Sequence, residues 1–209
     1  MLTDMAVKDY IRELASGSPT PGGGSTAALA GALGAALASM VANLTVGRKG
    51  FEGKEDEMKK LLKGSISLAE RLVRLVDEDA AAYRGVITGY RMPKNTEEEK
   101  KQRSQVIQEA LKQAALVPLE VAWQCLEVMR FSVTALEMGN PNVRSDARVS
   151  MLMAYAGLQS AILNVLVNLN SIKDSNFTQR IEKEKDDIVR QAHIIYGNYN
   201  ETEKVPLQS

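Results

Sequence analysis

The stretch from Pro19 to Lys49 constrains the fold more than any other part of this chain. It opens with a glycine triplet after Pro21 and then runs for about two dozen residues without a charge, most of them Ala, Gly and Ser. A helix with so little side-chain bulk is useful where another backbone or a ligand comes very close to it. Its small residues recur every four positions in two rows: Ala27, Gly31 and Ala35, and Ala28, Ala32 and Ala36. Such rows predict a central helix that touches its neighbours backbone to backbone.

An apolar face lies beside these rows and is made by Leu29, Leu33, Leu37, Met40 and Leu44. The segment from Gly22 to Val46 is long enough to span a bilayer, so a membrane helix is an alternative. Its composition argues against that alternative, because it is weak in Leu, Ile and Phe and carries hydroxyl and amide side chains. The preceding residues mix acids and bases at helical spacing, unlike an export signal. We expect a buried helix in a soluble, cytoplasmic protein with no membrane partner.

The composition of the whole chain narrows the possible partners. Among 209 residues, 26 basic side chains balance 26 acidic ones, which gives no electrostatic reason to expect a nucleic-acid partner. The single cysteine, Cys125, excludes an intramolecular disulfide, and the single histidine, His193, leaves no Cys/His set for zinc. We expect no structural metal and a small ligand, and the length favours one domain over residues 1–209.

Apolar residues recur at steps of three and four through the rest of the chain, which predicts an all-α bundle of about six helices. The first helix is indicated by Val7, Tyr10, Ile11 and Leu14. The first predicted helix ends before Gly17, and the second begins at Gly24 or Ser25. The third is long and carries an apolar stripe from Met58 to Tyr90. The last three run from Thr96 to about Met138, from Ser145 to about Asn170 and from about Asn176 to Tyr196. Pro118 should kink or break the fourth helix.

The glycine triplet allows two interpretations. Gly22, Gly24 and Ala27 satisfy a GxGxxA spacing, but a dinucleotide site needs a preceding strand, and here a helix and a Pro-rich turn come first. Free backbone N–H groups at a glycine-rich helix start can instead hold a carboxylate, a phosphate or a polarised oxygen. The alternative is that the glycines serve only a tight turn and close packing.

The segment GNPNVRSDARV, from Gly139 to Val149, is a second candidate site. Asn140 and Asn142 offer amides from a turn that proline stiffens, and Ser145 and Asp146 fall where a helix N-cap and first turn should be. A purely structural role explains the same residues, with Ser145 as the cap and Asp146 complementing the helix dipole. Two amides, a carboxylate and nearby arginines on one short loop are also typical of a binding site.

Asp79 interrupts the long apolar stripe at the edge of its buried face. A carboxylate there must be paired, hydrogen-bonded or raised in pKa, so Asp79 is a candidate proton-transfer group or a structural ion-pair partner. A polar row in the penultimate predicted helix could line a ligand cleft or a subunit interface, and it consists of Ser160, Asn164, Asn168 and Ser171. His193 lies in a charge-rich stretch, which predicts a surface residue and no Ser-His-Asp arrangement.

Five segments together resemble the cyclodeaminase/cyclohydrolase family, which comprises formiminotetrahydrofolate cyclodeaminase domains and methenyltetrahydrofolate cyclohydrolases. They are PTPGGGSTAALAGALGAALASMVANLTVGRK, MPKNTEEEK, ALVPLEVA, GNPNVRSD and NVLVNL, in the family's order from about Ser16 to Asp174. The resemblance implies an all-α fold, a homodimer, and a tetrahydrofolate substrate in a cleft near the glycine-rich loop. The family often carries several consecutive lysines after the small-residue helix, whereas this chain has only Arg48 and Lys49. The affinity for long polyglutamates is therefore in question.

The implied reaction is the conversion of 5-formiminotetrahydrofolate to 5,10-methenyltetrahydrofolate and ammonia, with methenyl cyclohydrolysis as the alternative. It needs oriented substrate groups and proton transfer but no cofactor. Asp146 and then Asp79 are the candidate catalytic carboxylates. The remaining candidates are substrate-binding residues: Pro21, Gly22, Gly23, Gly24 and Ser25 in the loop, Asn140, Asn142 or Asn164 for the pterin, Ser145 in the same turn as Asn140 and Asn142, and Arg48 and Lys49 for the glutamate carboxylates. A helical module that binds folate or oligomerises without turnover is the alternative of another class.

Overall fold

The small-residue helix occupies the middle of an all-α bundle. The computed structural model describes residues 1–200, in which six α-helices occur and no strand does, so the predicted fold class and helix number are confirmed. The helices are α1 (Val7–Leu14), α2 (Gly23–Asn43), α3 (Glu55–Arg91), α4 (Glu97–Met138), α5 (Arg144–Leu169) and α6 (Ser175–Asn200). Residues 201–209 lie outside the described part, and one domain over residues 1–209 stays a prediction.

Helix α2 packs between α3 and α5 and rests on α4. Its glycines permit this, because a Cβ at Gly34 would lie 2.9 Å from the Ser150 carbonyl oxygen. On the facing helix, a Cβ at Gly157 would lie 2.9 Å from the Ala27 carbonyl oxygen. Real side chains do not approach backbone that closely, so the predicted backbone-to-backbone contact is present between α2 and α5. The order of these contacts shows that α5 runs antiparallel to α2.

The apolar face of α2 is not part of the core. The buried residues of α2 are mainly its Ala, Gly and Ser residues, whereas Leu33 and Met40 are 49% and 36% exposed. Leu29 and Leu37 are half-buried. Close helix packing admits only small side chains on the inner side, so the larger ones lie on the outer side. Helix α1 also differs from its predicted apolar face, because Tyr10 is buried whereas Val7 and Ile11 are exposed.

Two local predictions about helix ends are tested by the structure. Pro118 lies inside α4, which continues through it, so the predicted break is absent, while the predicted kink stays a prediction. Ser145 does not cap α5, because a short 3-10 turn (Pro141–Val143) precedes that helix and Val143 takes the N-cap position. Thr96 does cap α4, with its hydroxyl accepting from the Glu99 backbone N–H at 3.1 Å.

Helix α2 and the segment Pro141–Leu169 are long and apolar enough to cross a membrane by length and composition alone. The core helix of a soluble protein passes the same test. In the bundle, 61% of the apolar window of α2 is buried. The fold therefore accounts for the apolar character of α2 through contacts with the neighbouring helices.

Substitution of two helical glycines separates packing from intrinsic helix propensity. We expect Gly34→Ala to lower the free energy of unfolding by about 1–3 kcal/mol, because the new methyl group meets the α5 backbone. Gly85→Ala is the matched control, since a Cβ there meets nothing within 4 Å, and it should stabilise the protein by up to about 1 kcal/mol. Urea unfolding followed by circular dichroism measures both changes. A stabilised Gly34→Ala variant would contradict the close packing of α2 on α5.

Candidate active site

A cleft of about 310 Å³ lies beyond the N-terminal end of α2. Helix α2 begins at Gly23, whereas α3, α4 and α5 continue past this level, so the cleft occupies the space between them. Its volume is at the lower end of the range for small-molecule sites. The lining residues are Pro19, Thr20, Gly22, Gly23, Gly24, Asp79, Ala82, Tyr83, Val86, Ala114, Asn164, Val167 and Asn168.

The glycine triplet allows polar side chains of α3 and α5 to reach the start of α2. A Cβ at Gly24 would lie 2.0 Å from Oδ1 of Asp79, and a Cβ at Gly23 would lie 3.3 Å from Nδ2 of Asn164. Gly24 has no positive φ, so the close approach of the carboxylate, and not backbone conformation, requires glycine there. Close packing at the triplet is therefore present, with the Asp79 carboxylate lying against Gly24 in the cleft. A binding role for the backbone N–H groups of the triplet stays a prediction.

Asp79 is the only ionisable carboxyl group that lines this cleft in the described residues. The Ser25 hydroxyl lies 2.8 Å from Oδ2 of Asp79 and 3.1 Å from the Val76 carbonyl oxygen, and it can donate to either. Burial raises the pKa of Asp79, and hydrogen bonds from the hydroxyl and backbone of Ser25 oppose that rise. A carboxyl group with a raised pKa is better suited than an ordinary aspartate to accept a proton and return it.

Two amide side chains of α5 form the opposite wall of the cleft. The Asn164 Nδ2 group donates to the Ser160 carbonyl at 2.8 Å, and Asn168 Nδ2 donates to the Ala114 carbonyl at 2.7 Å. These bonds leave the two side-chain oxygens as the groups that can accept hydrogen bonds in the cleft. Of the two roles considered for the polar row, a ligand cleft fits Asn164 and Asn168.

The Asn/Asp turn lies at the other end of α2. The Asn140 backbone N–H donates to Oγ1 of Thr45 at 2.9 Å, and its side-chain amide donates to the Leu44 carbonyl at 3.1 Å. Asn140 therefore ties the α4–α5 turn to the C-terminal end of α2. Eighteen residues of α5 separate Asp146 from Asn164, which at 1.5 Å per residue amounts to about 27 Å. Within one subunit, the structure does not bring Asp146 to the cleft.

Arg48 and Lys49 also lie at this distant end. Both are exposed, in a turn between Gly47 (φ 71°) and Gly50 (φ 91°). The structure thus separates the predicted site residues into two groups. One group lines the cleft and consists of Gly22, Gly23, Gly24, Asp79 and Asn164, with Pro21 and Ser25 next to these glycines in the chain. The other is at the far end of α2: Arg48, Lys49, Asn140, Asn142, Ser145 and Asp146. Binding and catalytic roles for both groups stay predictions.

Sequence reasoning missed several residues of the cleft. Tyr83 lies one turn after Asp79 on α3, and this spacing is the signal that could have identified it. Tyr10, on α1, does not line the cleft but is buried near Asp79. Burial raises the pKa of the Tyr10 hydroxyl, the Thr26 side chain lowers it, and the nearby Asp79 charge raises it. No sequence pattern linked Tyr10 to Asp79, because their proximity arises only in the folded chain.

Other reactive groups lie elsewhere in the fold. Cys125 is buried, which raises the pKa of its thiol to about 12 and makes it inert. His193 is exposed on α6, as predicted, 3.4 Å from the Gln159 amide. Between residues 1 and 200, no group of three or more His, Cys, Asp or Glu side chains could hold a metal ion. The cleft with Asp79 is therefore the strongest candidate for a catalytic site.

Comparison with known proteins identifies the family. The formiminotransferase-cyclodeaminase family model matches residues 6–187. The chain is 43% identical to the methenyltetrahydrofolate cyclohydrolase of Methylorubrum extorquens, with 98% of each covered. It is 35% identical over 91% of its length to formimidoyltransferase-cyclodeaminase of Rattus norvegicus, of which it covers 35%. A crystal structure of formiminotetrahydrofolate cyclodeaminase from Thermotoga maritima matches with a TM-score of 0.85 and 30% identity, covering 94% of each chain. The chain therefore belongs to the formiminotransferase-cyclodeaminase family.

Proposed function

We propose that this protein is a folate enzyme that acts on the one-carbon unit between N5 and N10 of tetrahydrofolate. The observation that carries the proposal is the half-buried Asp79 carboxylate in a cleft at the glycine-rich start of α2. Family membership supports a folate substrate, since the similar proteins from Methylorubrum extorquens and Thermotoga maritima are named for tetrahydrofolate reactions. A cytoplasmic location is part of the proposal.

The primary candidate reaction is cyclodeamination. N10 attacks the carbon of the protonated formimino group on N5 and forms a tetrahedral carbon that carries N5, N10 and an amino group. A proton moves from N10 to that amino group, the carbon–nitrogen bond breaks, and ammonia leaves, so the product is 5,10-methenyltetrahydrofolate. Because nucleophile and leaving group both belong to the substrate, the protein has to orient them and move one proton. This chemistry requires no cofactor.

The cleft offers a group for each of these tasks. Asp79 takes the proton from N10 and returns it to the departing amine, and its raised pKa suits both steps. The side-chain oxygens of Asn164 and Asn168 accept hydrogen bonds from N–H groups of the pterin edge. The backbone N–H groups at the start of α2 point toward the cleft and favour negative charge or polarised oxygen there. Asp146 is a proton carrier in this scheme only if another chain brings it to the cleft.

Cyclohydrolysis is the second candidate, and the 43% identity to the full-length Methylorubrum extorquens cyclohydrolase favours it. Water attacks the methenyl carbon, one proton is released and another reaches N5, and the N5–carbon bond breaks to leave a formyltetrahydrofolate. The same tetrahedral carbon and the same proton carrier serve this reaction. Ammonia release from 5-formiminotetrahydrofolate and loss of methenyl absorbance without ammonia distinguish the two reactions.

We further propose that the protein is a homodimer that pairs through the outer face of α2. This face contains Leu33 and Met40, both exposed, beside the half-buried Leu29 and Leu37. No charged residue occurs on α2, so a second copy can cover the face without burying a charge from it. Ile66 and Val73 of α3 are exposed as well and extend the apolar surface.

Asp79→Asn tests the catalytic assignment. An amide cannot carry the proton between N10 and the amine, so kcat should fall by about 10²- to 10⁴-fold with little change in helix content. Asp56→Asn is the matched control, because Asp56 is an exposed carboxylate on the same helix. Both variants are assayed with 5-formiminotetrahydrofolate and with the methenyl substrate. Full activity of Asp79→Asn on both substrates would exclude Asp79 as the proton carrier, whereas folate binding without turnover by the wild type would favour a non-catalytic folate-binding module.

The same variant should change the pH dependence of stability. Burial raises the pKa of Asp79, so the folded protein holds this proton more tightly than the unfolded chain, whose aspartates titrate near pH 4. The contribution of Asp79 is fully present below about pH 4 and is lost as the pH rises through its folded pKa. Unfolding in urea at a series of pH values should therefore show Asp79→Asn gaining stability relative to wild type across that window. A gain on acidification instead would mean that hydrogen bonds, not burial, dominate.

Leu33→Glu tests the dimer. The two-fold symmetry of a dimer would bury this carboxylate twice without a partner, so the variant should sediment as a monomer while wild type sediments as a dimer. Ile194→Glu is the control, because Ile194 is 58% exposed on α6, away from α2. Sedimentation velocity measures both variants. A dimeric Leu33→Glu protein would exclude the α2 face as the interface.

A further inference from the structure

We propose that Tyr10 is a positioning residue for the cleft: its buried ring holds the N-terminal arm, residues 1–22, on the bundle and so keeps the last residues of the arm in place as a wall for the bound folate. The inference rests on the proposed function and assigns a role to a part of the chain that does not contact the reacting atoms. Three observations carry it: which residues of the arm line the cleft, how little of the arm is buried, and what surrounds Tyr10.

The end of the arm forms one wall of the cleft. Pro19, Thr20 and Gly22 line the cleft, and they belong to the connection between α1 and α2. Gly22 is also the N-cap residue of α2. A ligand that fills the cleft therefore contacts this connection as well as the long helices α3, α4 and α5. The position of the connection decides the shape of the site.

Little besides Tyr10 fixes the arm near the cleft. Tyr10 is the only buried residue of α1, whereas Val7 and Ile11 are 77% and 58% exposed. Residues 15–19 are exposed, and no hydrogen bond within residues 1–200 joins the backbone of residues 5–21 to one of the long helices. A helix as short as α1 is not stable by itself in water. Helix α1 and the connection after it therefore depend on Tyr10 for their position.

A second tie lies at the beginning of the arm. The Leu2 backbone N–H donates to Oδ1 of Asp77 at 2.6 Å, and the Thr3 hydroxyl donates to Oδ2 at 2.6 Å. Hydrogen bonds to a carboxylate are stronger than those between neutral groups, so the first residues of the arm are held on α3. Tyr10 lies between this tie and the cleft wall in the chain. It is therefore the tie that restrains the connection.

The Tyr10 side chain lies against the start of α2. Its hydroxyl is beside Thr26, whose own hydroxyl donates to the Gly22 carbonyl at 2.8 Å. No hydrogen bond of regular geometry forms at the Tyr10 hydroxyl within the described residues, so the buried ring provides the attachment. The charged groups near the hydroxyl are Asp77 and Asp79 of α3, and α2 carries no charged side chain. Tyr10 thus supports the wall residue Gly22 from outside the cleft.

Loss of this tie should weaken substrate binding and leave the chemical step unchanged. In the wild type, the wall is in place before the folate arrives. Without the Tyr10 ring, only a fraction of the molecules hold the wall in place, and the apparent affinity falls by that fraction. Bound folate restores the wall, so the saturated enzyme turns over at its usual rate. KM should rise while kcat stays, a pattern that loss of folded protein does not produce.

Three variants of α1 test this separation of KM from kcat. Tyr10→Ala should raise KM roughly ten- to a hundredfold and keep kcat within about twofold of the wild type. Tyr10→Phe keeps the ring and should restore the wild-type KM. Ile11→Ala is the matched control, because Ile11 is the next residue of α1 and is exposed. An unchanged KM in Tyr10→Ala would overturn the proposal. A fall in kcat alone in Tyr10→Phe would overturn it as well, because the hydroxyl would then act on the chemistry at Asp79.

Asp77→Ala loosens the arm at its other tie and leaves the Tyr10 ring in place. KM should rise about two- to tenfold, less than in Tyr10→Ala, because the ring still holds the connection. Asp56→Ala changes an exposed carboxylate of the same helix and should keep the wild-type KM. A larger rise in Asp77→Ala than in Tyr10→Ala would place the restraint at Asp77 and contradict its assignment to Tyr10.

Hydrogen exchange tests the inference on the wild type, with no variant that has to fold. Because coupling is reciprocal, a folate that needs the wall in place must slow amide exchange in the arm. With 5-formyltetrahydrofolate as the probe, peptides that cover residues 5–22 and the segment around Asp79 should both gain protection, and peptides of α6 should not. Protection at Asp79 without protection of the arm would overturn the inference and leave the proposed function standing. Protection of neither segment would refute the proposed function itself, so the two failures are distinguishable.

Discussion

The packing of α2 against α3, α4 and α5 is the constraint on which the rest of this structure depends. At Gly34 and Gly157 the helix backbones lie so close that a single methyl group would meet a carbonyl oxygen. Such contact excludes large side chains from the inner side of α2 and forces Leu33 and Met40 outward. Buried serine hydroxyl groups bond across the helix contacts, as in the Ser150 hydroxyl on α5, which donates to the Gly34 carbonyl of α2 at 2.7 Å. The close packing of α2 therefore determines which of its side chains lie in the core and which remain on the surface, where a partner could cover them.

The close packing of α2 also shapes the cleft that contains Asp79. A helix of small residues can begin late and leave a cleft between longer neighbours, and the glycines at its start allow side chains to come close. Asp79 occupies the space where a Cβ of Gly24 would lie, and Asn164 approaches Gly23 from the other side. The carboxylate is thus desolvated by the packing that holds the bundle together, which is the cause of its raised pKa. The helix packing that stabilises the bundle is therefore also the cause of the shifted pKa of Asp79.

The sequence predicted the helices well, because the stripe from Met58 to Tyr90 and the capping residues near Thr96 are local signals. It predicted Asp79 and Asn164 at a site because each polar residue interrupts an apolar pattern. It could not predict which face of α2 is buried, since both the small row and the leucine row are apolar and only close packing distinguishes them. It also could not reveal that Asp146 and Asp79 lie at opposite ends of α2. That separation follows from the antiparallel course of α5, a tertiary property that leaves no mark on spacing.

A site of this kind can serve two reactions because the protein supplies so few groups. In cyclodeamination and cyclohydrolysis the bond-making atoms belong to the folate or to water, and both pass through a tetrahedral carbon between N5 and N10. A carboxylate that holds a proton with moderate affinity can assist either course, provided that the pterin is fixed beside it. In the proposed mechanism, the space next to Asp79 has to admit either an attacking water or the amino group of the formimino substrate. That space is bounded by Gly24, Tyr83 and Asn164, so we expect the packing of these residues to influence the selectivity between hydrolysis and ammonia release.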